Sequence, residues 1–184
     1  REIMTGAIAV CTLNTAAAIE PMPLNSDGPI QFIPTVKISQ GYDNNVDEAP
    51  GGQDESSNVT KVAPTFLFLA QERQNRYQFR YTPELQVYSQ SSDEDRVNHN
   101  AALRSRIVFD GRNALDAGLR FRRNQETLTA TNRQFGESEG DINDRLTLDG
   151  SYRFGASNAR GQIEVNARYL ANRYDNHRVG GSNN

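Results

Sequence analysis

Residues 77–87 alternate without a break, with Tyr77, Phe79, Tyr81, Pro83, Leu85 and Val87 interleaved by Gln78, Arg80, Thr82, Glu84 and Gln86. A strand sends successive side chains to opposite faces and so separates these two sets completely, whereas a helix scatters both around its circumference. The pattern recurs. Leu103, Ser105, Ile107 and Phe109 oppose Arg104 and Arg106, and Leu115, Ala117, Leu119 and Phe121 oppose Asp116, Arg120 and Arg122. Leu146, Leu148, Gly150, Tyr152 and Phe154 oppose Arg145, Thr147, Asp149, Ser151 and Arg153, and Ile163, Val165, Ala167 and Tyr169 oppose Gln162, Glu164, Asn166 and Arg168. Val36, Ile38 and Tyr42 do the same against Thr35, Lys37 and Ser39. With residues 59–70, where Phe66 and Phe68 point one way and Leu67 and Leu69 the other, the pattern predicts seven strands.

Two kinds of chain carry such strands, a soluble β-sandwich and a transmembrane β-barrel. The apolar fraction of 36% does not separate them, because a barrel spends only every second residue on lipid. Strand length and aromatic placement do. The alternating runs span about nine to eleven residues, enough to cross a bilayer at a tilt, whereas sandwich strands average about five or six. Polar segments at residues 43–58, 90–98 and 123–141 alternate with shorter turns at 72–76, 110–113 and 155–159, the rhythm of a barrel with long loops at one end. Phe32, Phe66, Phe68, Tyr77, Phe79, Phe109, Tyr152 and Phe154 fall on the apolar face near the short turns, the place of an interfacial aromatic girdle. Tyr42, Phe121 and Tyr169 are expected to begin the opposite girdle. The expected fold is therefore all-β, an antiparallel up-and-down transmembrane β-barrel.

Lipid permits no unpaired edge, and the smallest bacterial barrels have about eight strands, so seven are expected to be the N-terminal part of a larger barrel, residues 30–184. Ahead of it, residues 1–18 read as the remains of a secretory signal ending in Ala16-Ala17-Ala18, and residues 19–29, with Pro21, Pro23 and Pro29, as a linker. Cys11 is alone, which excludes an internal disulfide, and His99 and His177 are too few for a zinc site.

The formal charge of -3 conceals a sharp division. On the polar faces ten basic residues, Lys37, Lys61, Arg80, Arg104, Arg106, Arg120, Arg122, Arg145, Arg153 and Arg168, outnumber Glu84, Asp116, Asp149 and Glu164 by six, while acids exceed bases by nine in the three long connections. Arginines lining a wet lumen would favour anionic solutes and bind carboxylate or phosphate through paired hydrogen bonds. The alternative is a set of cross-strand ladders that merely fills a narrow interior. In the acidic loops, Asp43-Asn44-Asn45-Val46-Asp47 spaces oxygen ligands at alternate positions but lacks the glycine of a calcium loop, so solvated negative loops are the default and lipopolysaccharide-bridging cations the alternative. No phosphate loop, nucleophile elbow or metal-binding helix occurs, and the paired carboxylates sit in loops or among arginines, where nothing raises a pKa for acid catalysis. No cofactor and no enzymatic role are expected, and inward arginines beneath acidic loops argue against nucleic acid.

The run Phe32-Ile33-Pro34-Thr35-Val36-Lys37-Ile38-Ser39-Gln40-Gly41-Tyr42-Asp43-Asn44-Asn45-Val46, a first strand ending in a Tyr-Asp-Asn-Asn rim, resembles the opening of the outer-membrane barrels grouped as putative β-barrel porin 2. Tyr169-Leu170-Ala171-Asn172-Arg173-Tyr174 is similar to their Arg- and Tyr-rich strand ends, with Leu170 on the polar face as a departure. The resemblance covers residue 30 to the end. It implies a non-enzymatic protein of a Gram-negative outer membrane, with lipid and lipopolysaccharide around it, a secreted anionic polysaccharide as cargo and export-complex proteins as partners. Three functions are open at this point: a passage or docking wall for an anionic solute, a filled barrel that anchors an export complex, and a barrel hydrolase whose site lies beyond these residues.

Overall fold

The computed structural model describes residues 28–44, 46, 56–126, 141–156 and 158–175. Seven strands follow one another, β1 Ile30–Asp43, β2 Ser57–Glu72, β3 Asn75–Tyr88, β4 Arg96–Val108, β5 Asn113–Gln125, β6 Ile142–Phe154 and β7 Ile163–Asp175, with one 3-10 turn at Ser92–Glu94. They form a single antiparallel sheet in chain order, each strand pairing only with its sequence neighbours. This is up-and-down topology, and the sandwich alternative falls with it, since among the described residues no second layer covers either face. The sheet is not closed. β1 and β7 each have one unpaired edge among the described residues, the state of a partial barrel.

The missing second layer shows in the burial. Only Val46, Val59 and Tyr88 are buried apolar residues among those described, while Ile38 and Val36 are 68% and 64% exposed. An apolar face left open in this way costs roughly 25 cal/mol per Å² in water. In lipid that cost vanishes, which is the condition under which such a sheet is stable.

The register settles which side chains share a face. One row runs Pro34, Phe66, Tyr81, Ala101, Phe121, Leu146, Ala171, and the next runs Phe32, Phe68, Phe79, Leu103, Leu119, Leu148, Tyr169. In β2, Phe66 and Phe68 therefore join the apolar face, and Leu67 and Leu69 lie with the polar set. The rings meet across β1 to β3: Phe32 stacks on Phe68 at 4.6 Å, Phe68 meets Phe79 at 6.0 Å, and Phe66 meets Tyr81 at 6.3 Å.

The first of these rows ends four residues short of the end of β7, seven short of β3 and nine short of β1. Strand ends thus step by roughly one residue per strand, which at about 3.3 Å rise and 4.8 Å spacing corresponds to a tilt of roughly 35°. That is the stagger closure of a barrel requires.

Several sequence expectations need adjusting. The strands run 13 to 16 residues rather than nine to eleven, because the polar ends of each hairpin keep pairing beyond the apolar band. The loop rhythm is weaker than expected. The connection 89–95 is no longer than 155–162, since β4 already starts at Arg96, paired with Gln86. Tyr169 lies in mid-strand rather than at a rim, and Phe109 sits in the β4–β5 turn, its amide donating to the Asn113 carbonyl at 3.0 Å. Residues 1–27 and most of the acidic loops, 47–55 and 127–140, lie outside the described residues, and with them the signal segment, almost all of the linker and most of the loop charge.

Candidate functional site

All thirteen charged residues expected to share the polar face do so: Lys37 on β1, Arg80 and Glu84 on β3, Arg104 and Arg106 on β4, Asp116, Arg120 and Arg122 on β5, Arg145, Asp149 and Arg153 on β6, Glu164 and Arg168 on β7. The pairing also shows how they combine, which one-dimensional alternation cannot. Toward the short-connection end acids and bases adjoin. Arg106 stands opposite Asp116, their nearest atoms 4.0 Å apart. Asp149 lies beside Arg168 and Arg153 beside Glu164, which also accepts a 2.9 Å hydrogen bond from Ser151 Oγ.

Gly118 lies between Arg104 and Asp149 in the same row. A Cβ there would meet Asp149 Oδ2 at 2.5 Å, so the bare backbone of Gly118 is the space the Asp149 carboxylate occupies. Ala102 has a comparable place between Arg80 and Arg120. Small residues keep room above the sheet between charged neighbours.

Further along the strands the balance fails. Arg122 stands directly opposite Arg145, and Arg120 follows two residues along β5, with no carboxylate within 4.0 Å of any of them among the described residues. Like charges facing each other across a strand pair are destabilising. Arg145 Nε donates to Asn172 Oδ1 at 2.9 Å, a neutral partner that orients the guanidinium without discharging it. Among the described residues, Arg80, Arg104, Arg120, Arg122 and Arg168 make no side-chain hydrogen bond or ion pair, so the cross-strand contacts do not run unbroken from strand to strand there.

Sequence reasoning missed three groups. Arg76, assigned to a turn, belongs to β3 and stands opposite Arg106 on the polar face. The signal was present, since Arg76, Gln78 and Arg80 keep the period of two. At the long-connection end, Tyr88 is 6% exposed, Arg96 Nη2 donates to its hydroxyl at 3.1 Å, Gln86 also bonds it, and Asp95 Oδ1 accepts from its amide at 2.7 Å. This cluster holds the 89–95 connection against the strand ends.

The third group is on the apolar face. Above the Leu146 row sits a polar one, His99, Arg123, Asp144 and Arg173, in which Arg123 Nε and Nη2 both donate to the Asp144 carboxylate at 2.7 Å and the Tyr81 hydroxyl meets His99 Nδ1 at 2.9 Å. Arg123 and Asp144, expected in or beside a loop, are strand residues that end the apolar surface. From Leu146 to Phe154 on β6 that surface spans about 26 Å along the strand at about 3.3 Å per residue. Tilt reduces this to roughly 21 Å, close to the apolar band of an outer-membrane barrel. Of the eight aromatics expected near the short connections, Phe32, Phe66, Phe68, Tyr77, Phe79, Tyr152 and Phe154 share this face, and Phe109 extends it from the turn.

Among the described residues, the polar face carries two clefts of note. One of about 530 Å³ lies by the β2–β3 turn against Arg76, Arg104 and Arg106, and one of about 320 Å³ lies beside Asp116, Asp149 and Arg168. No helix among the described residues is long and apolar enough to cross a membrane, which leaves crossing by strands untouched.

Comparison with known proteins agrees with this geometry. The family described as putative beta-barrel porin 2 matches residues 28–183. No curated protein and no solved structure matches the chain.

Proposed function

Since the chain belongs to the putative β-barrel porin 2 family, a group of outer-membrane β-barrels, we propose that it forms part of a porin-like passage or docking wall for an anionic solute, with a secreted exopolysaccharide as the cargo class. In this reading the chain is exported by its signal segment to the outer membrane of a Gram-negative bacterium. The apolar face with its aromatic girdle meets lipid and lipopolysaccharide, the polar face lines the lumen, and export-complex proteins dock at the ends. The role is non-enzymatic.

The observation that carries the proposal is the unmatched arginine group, Arg122 facing Arg145 with Arg120 beside them. A folded sheet keeps such a group at a cost of a few tenths of a kcal/mol to about 1 kcal/mol per facing pair, and an anion in the lumen removes the cost. Guanidinium forks donate two parallel hydrogen bonds to a carboxylate or phosphate, so a chain of acidic sugars would pass from one to the next. Planar-bilayer recording on full-length protein tests this. Anion-selective current is expected, and Arg104→Glu with Arg120→Glu should move the reversal potential toward cation preference.

The filled barrel has its own support in the cross-strand contacts Arg106–Asp116, Arg145–Asn172 and Ser151–Glu164. Absence of current above background would favour it and end the passage reading.

A further inference from the structure

We propose that the 530 Å³ cleft beside the β2–β3 turn is a binding subsite for a carboxylate-bearing saccharide unit. Arg76 and Arg106 face each other across β3 and β4, and Arg104 projects from the same wall two residues along β4. These three guanidinium groups share one acid, Asp116, whose nearest approach to Arg106 is 4.0 Å, beyond hydrogen-bond reach. Among the described residues, Arg76 and Arg104 make no side-chain hydrogen bond or ion pair. The cleft is thus lined by three like charges on neighbouring positions, an arrangement that an added anion relieves.

The lining selects among anions. Planar arginine forks match a carboxylate in two parallel bonds. Gln31 and Gln78 each offer a donor and an acceptor, which is what the hydroxyls of a sugar ring need, and Leu69 supplies an apolar wall for the C–H side of the ring. A volume of about 530 Å³ lies within the roughly 300–1,000 Å³ of small-molecule sites and far exceeds what a bare inorganic anion fills. The inference rests on the reading of the polar face as a path for anionic solutes and gives that path a defined station at the short-connection end.

Titration calorimetry on full-length protein in detergent tests it, with trigalacturonate as the acidic probe and maltotriose and inorganic phosphate as references. Trigalacturonate should bind at least about tenfold more tightly than either, and Arg76→Gln and Arg106→Gln should each weaken it about tenfold, the effect of losing a charge-assisted pair. Arg112→Gln, in the exposed β4–β5 turn, should leave binding unchanged. Arg76→Lys keeps the charge and loses the fork; a loss severalfold smaller than that of Arg76→Gln is expected, and it remains informative if the Gln variants fail to fold. Equal affinity for phosphate, or binding indifferent to Arg76 and Arg106, overturns the assignment. Bilayer selectivity of the same preparation separates the two levels: anion preference without sugar binding removes the cleft alone, and absence of anion preference removes the passage reading beneath it.

Discussion

Leu119 and Leu67 are the same residue type on opposite faces of one sheet, and replacing each with arginine isolates the environment from the chemistry. Leu119 lies in mid-band on the apolar face, four residues from Leu115 at one side and four from Arg123 at the other, flanked by Leu103 and Leu148. No carboxylate shares its row, so a guanidinium placed there has no local counter-ion. An arginine at the midplane of a barrel's lipid face costs about 2–4 kcal/mol, roughly a 30- to 1,000-fold loss in the folding equilibrium. Leu67 lies on the polar face between Ile33 and Arg80. Leu67→Arg meets water and one like charge across the strand pair, which costs at most about 1 kcal/mol. Both variants lose one leucine, so that term largely cancels in the comparison. Urea unfolding of full-length protein in lipid vesicles, followed by far-UV dichroism and gel mobility, reads both values. Equal destabilisation by the two variants would refute the face assignment, and so would a Leu119→Arg cost below about 1 kcal/mol, because a charge placed in lipid cannot be so cheap.

Gly118→Ala should turn the exposed Asp149 carboxylate to another rotamer at a cost below about 1 kcal/mol, and that cost should vanish in an Asp149→Ala background, a coupling that a double-mutant cycle measures. Asp144→Asn removes the charge and one of the two oxygens that accept from Arg123; with the pair partly exposed, the loss should stay below about 1 kcal/mol and shrink as salt is raised, as unfolding at two ionic strengths would show. Asp110 receives the backbone amides of Arg112 and Asn113 at 2.7 and 2.8 Å and the Asn113 side-chain amide, the Arg112 amide being the largest of the influences that hold its carboxyl below the usual carboxylate range. Its contribution to the β4–β5 turn is therefore complete above that range and is lost as the pH falls through it toward the depressed folded value. Amide exchange at Arg112 and Asn113 should accelerate only on that acid side in the wild type, and at every pH in Asp110→Ala.

How much of this was legible in the sequence differs from residue to residue. Arg104 and Arg120 were assigned to one face from their own strands, because in a strand the direction of a side chain follows from parity alone. Leu67 and Leu69 resisted that reading, since both parities of β2 carry large apolar residues there. Only pairing with β1 and β3 fixed the register, by stacking Phe68 between Phe32 and Phe79. Arg76 has the parity of the polar face but ends the polar run 72–76, which has no apolar residue to mark where the strand begins. Arg123 and Asp144 were missed because their strands continue past the apolar run, and a strand end without apolar residues looks like a loop.

The sequence by itself determined that the chain forms alternating strands, that one face is apolar and the other rich in arginine, and that the strands are long enough for a membrane. Those properties depend on side-chain direction, a local consequence of backbone geometry. Which arginine faces which residue depends instead on the offset between neighbouring strands. That offset brought Arg122 against Arg145 and Arg76 against Arg106, and it set Gly118 under Asp149. Hydrogen bonding between strands decides it, and no single strand contains that information.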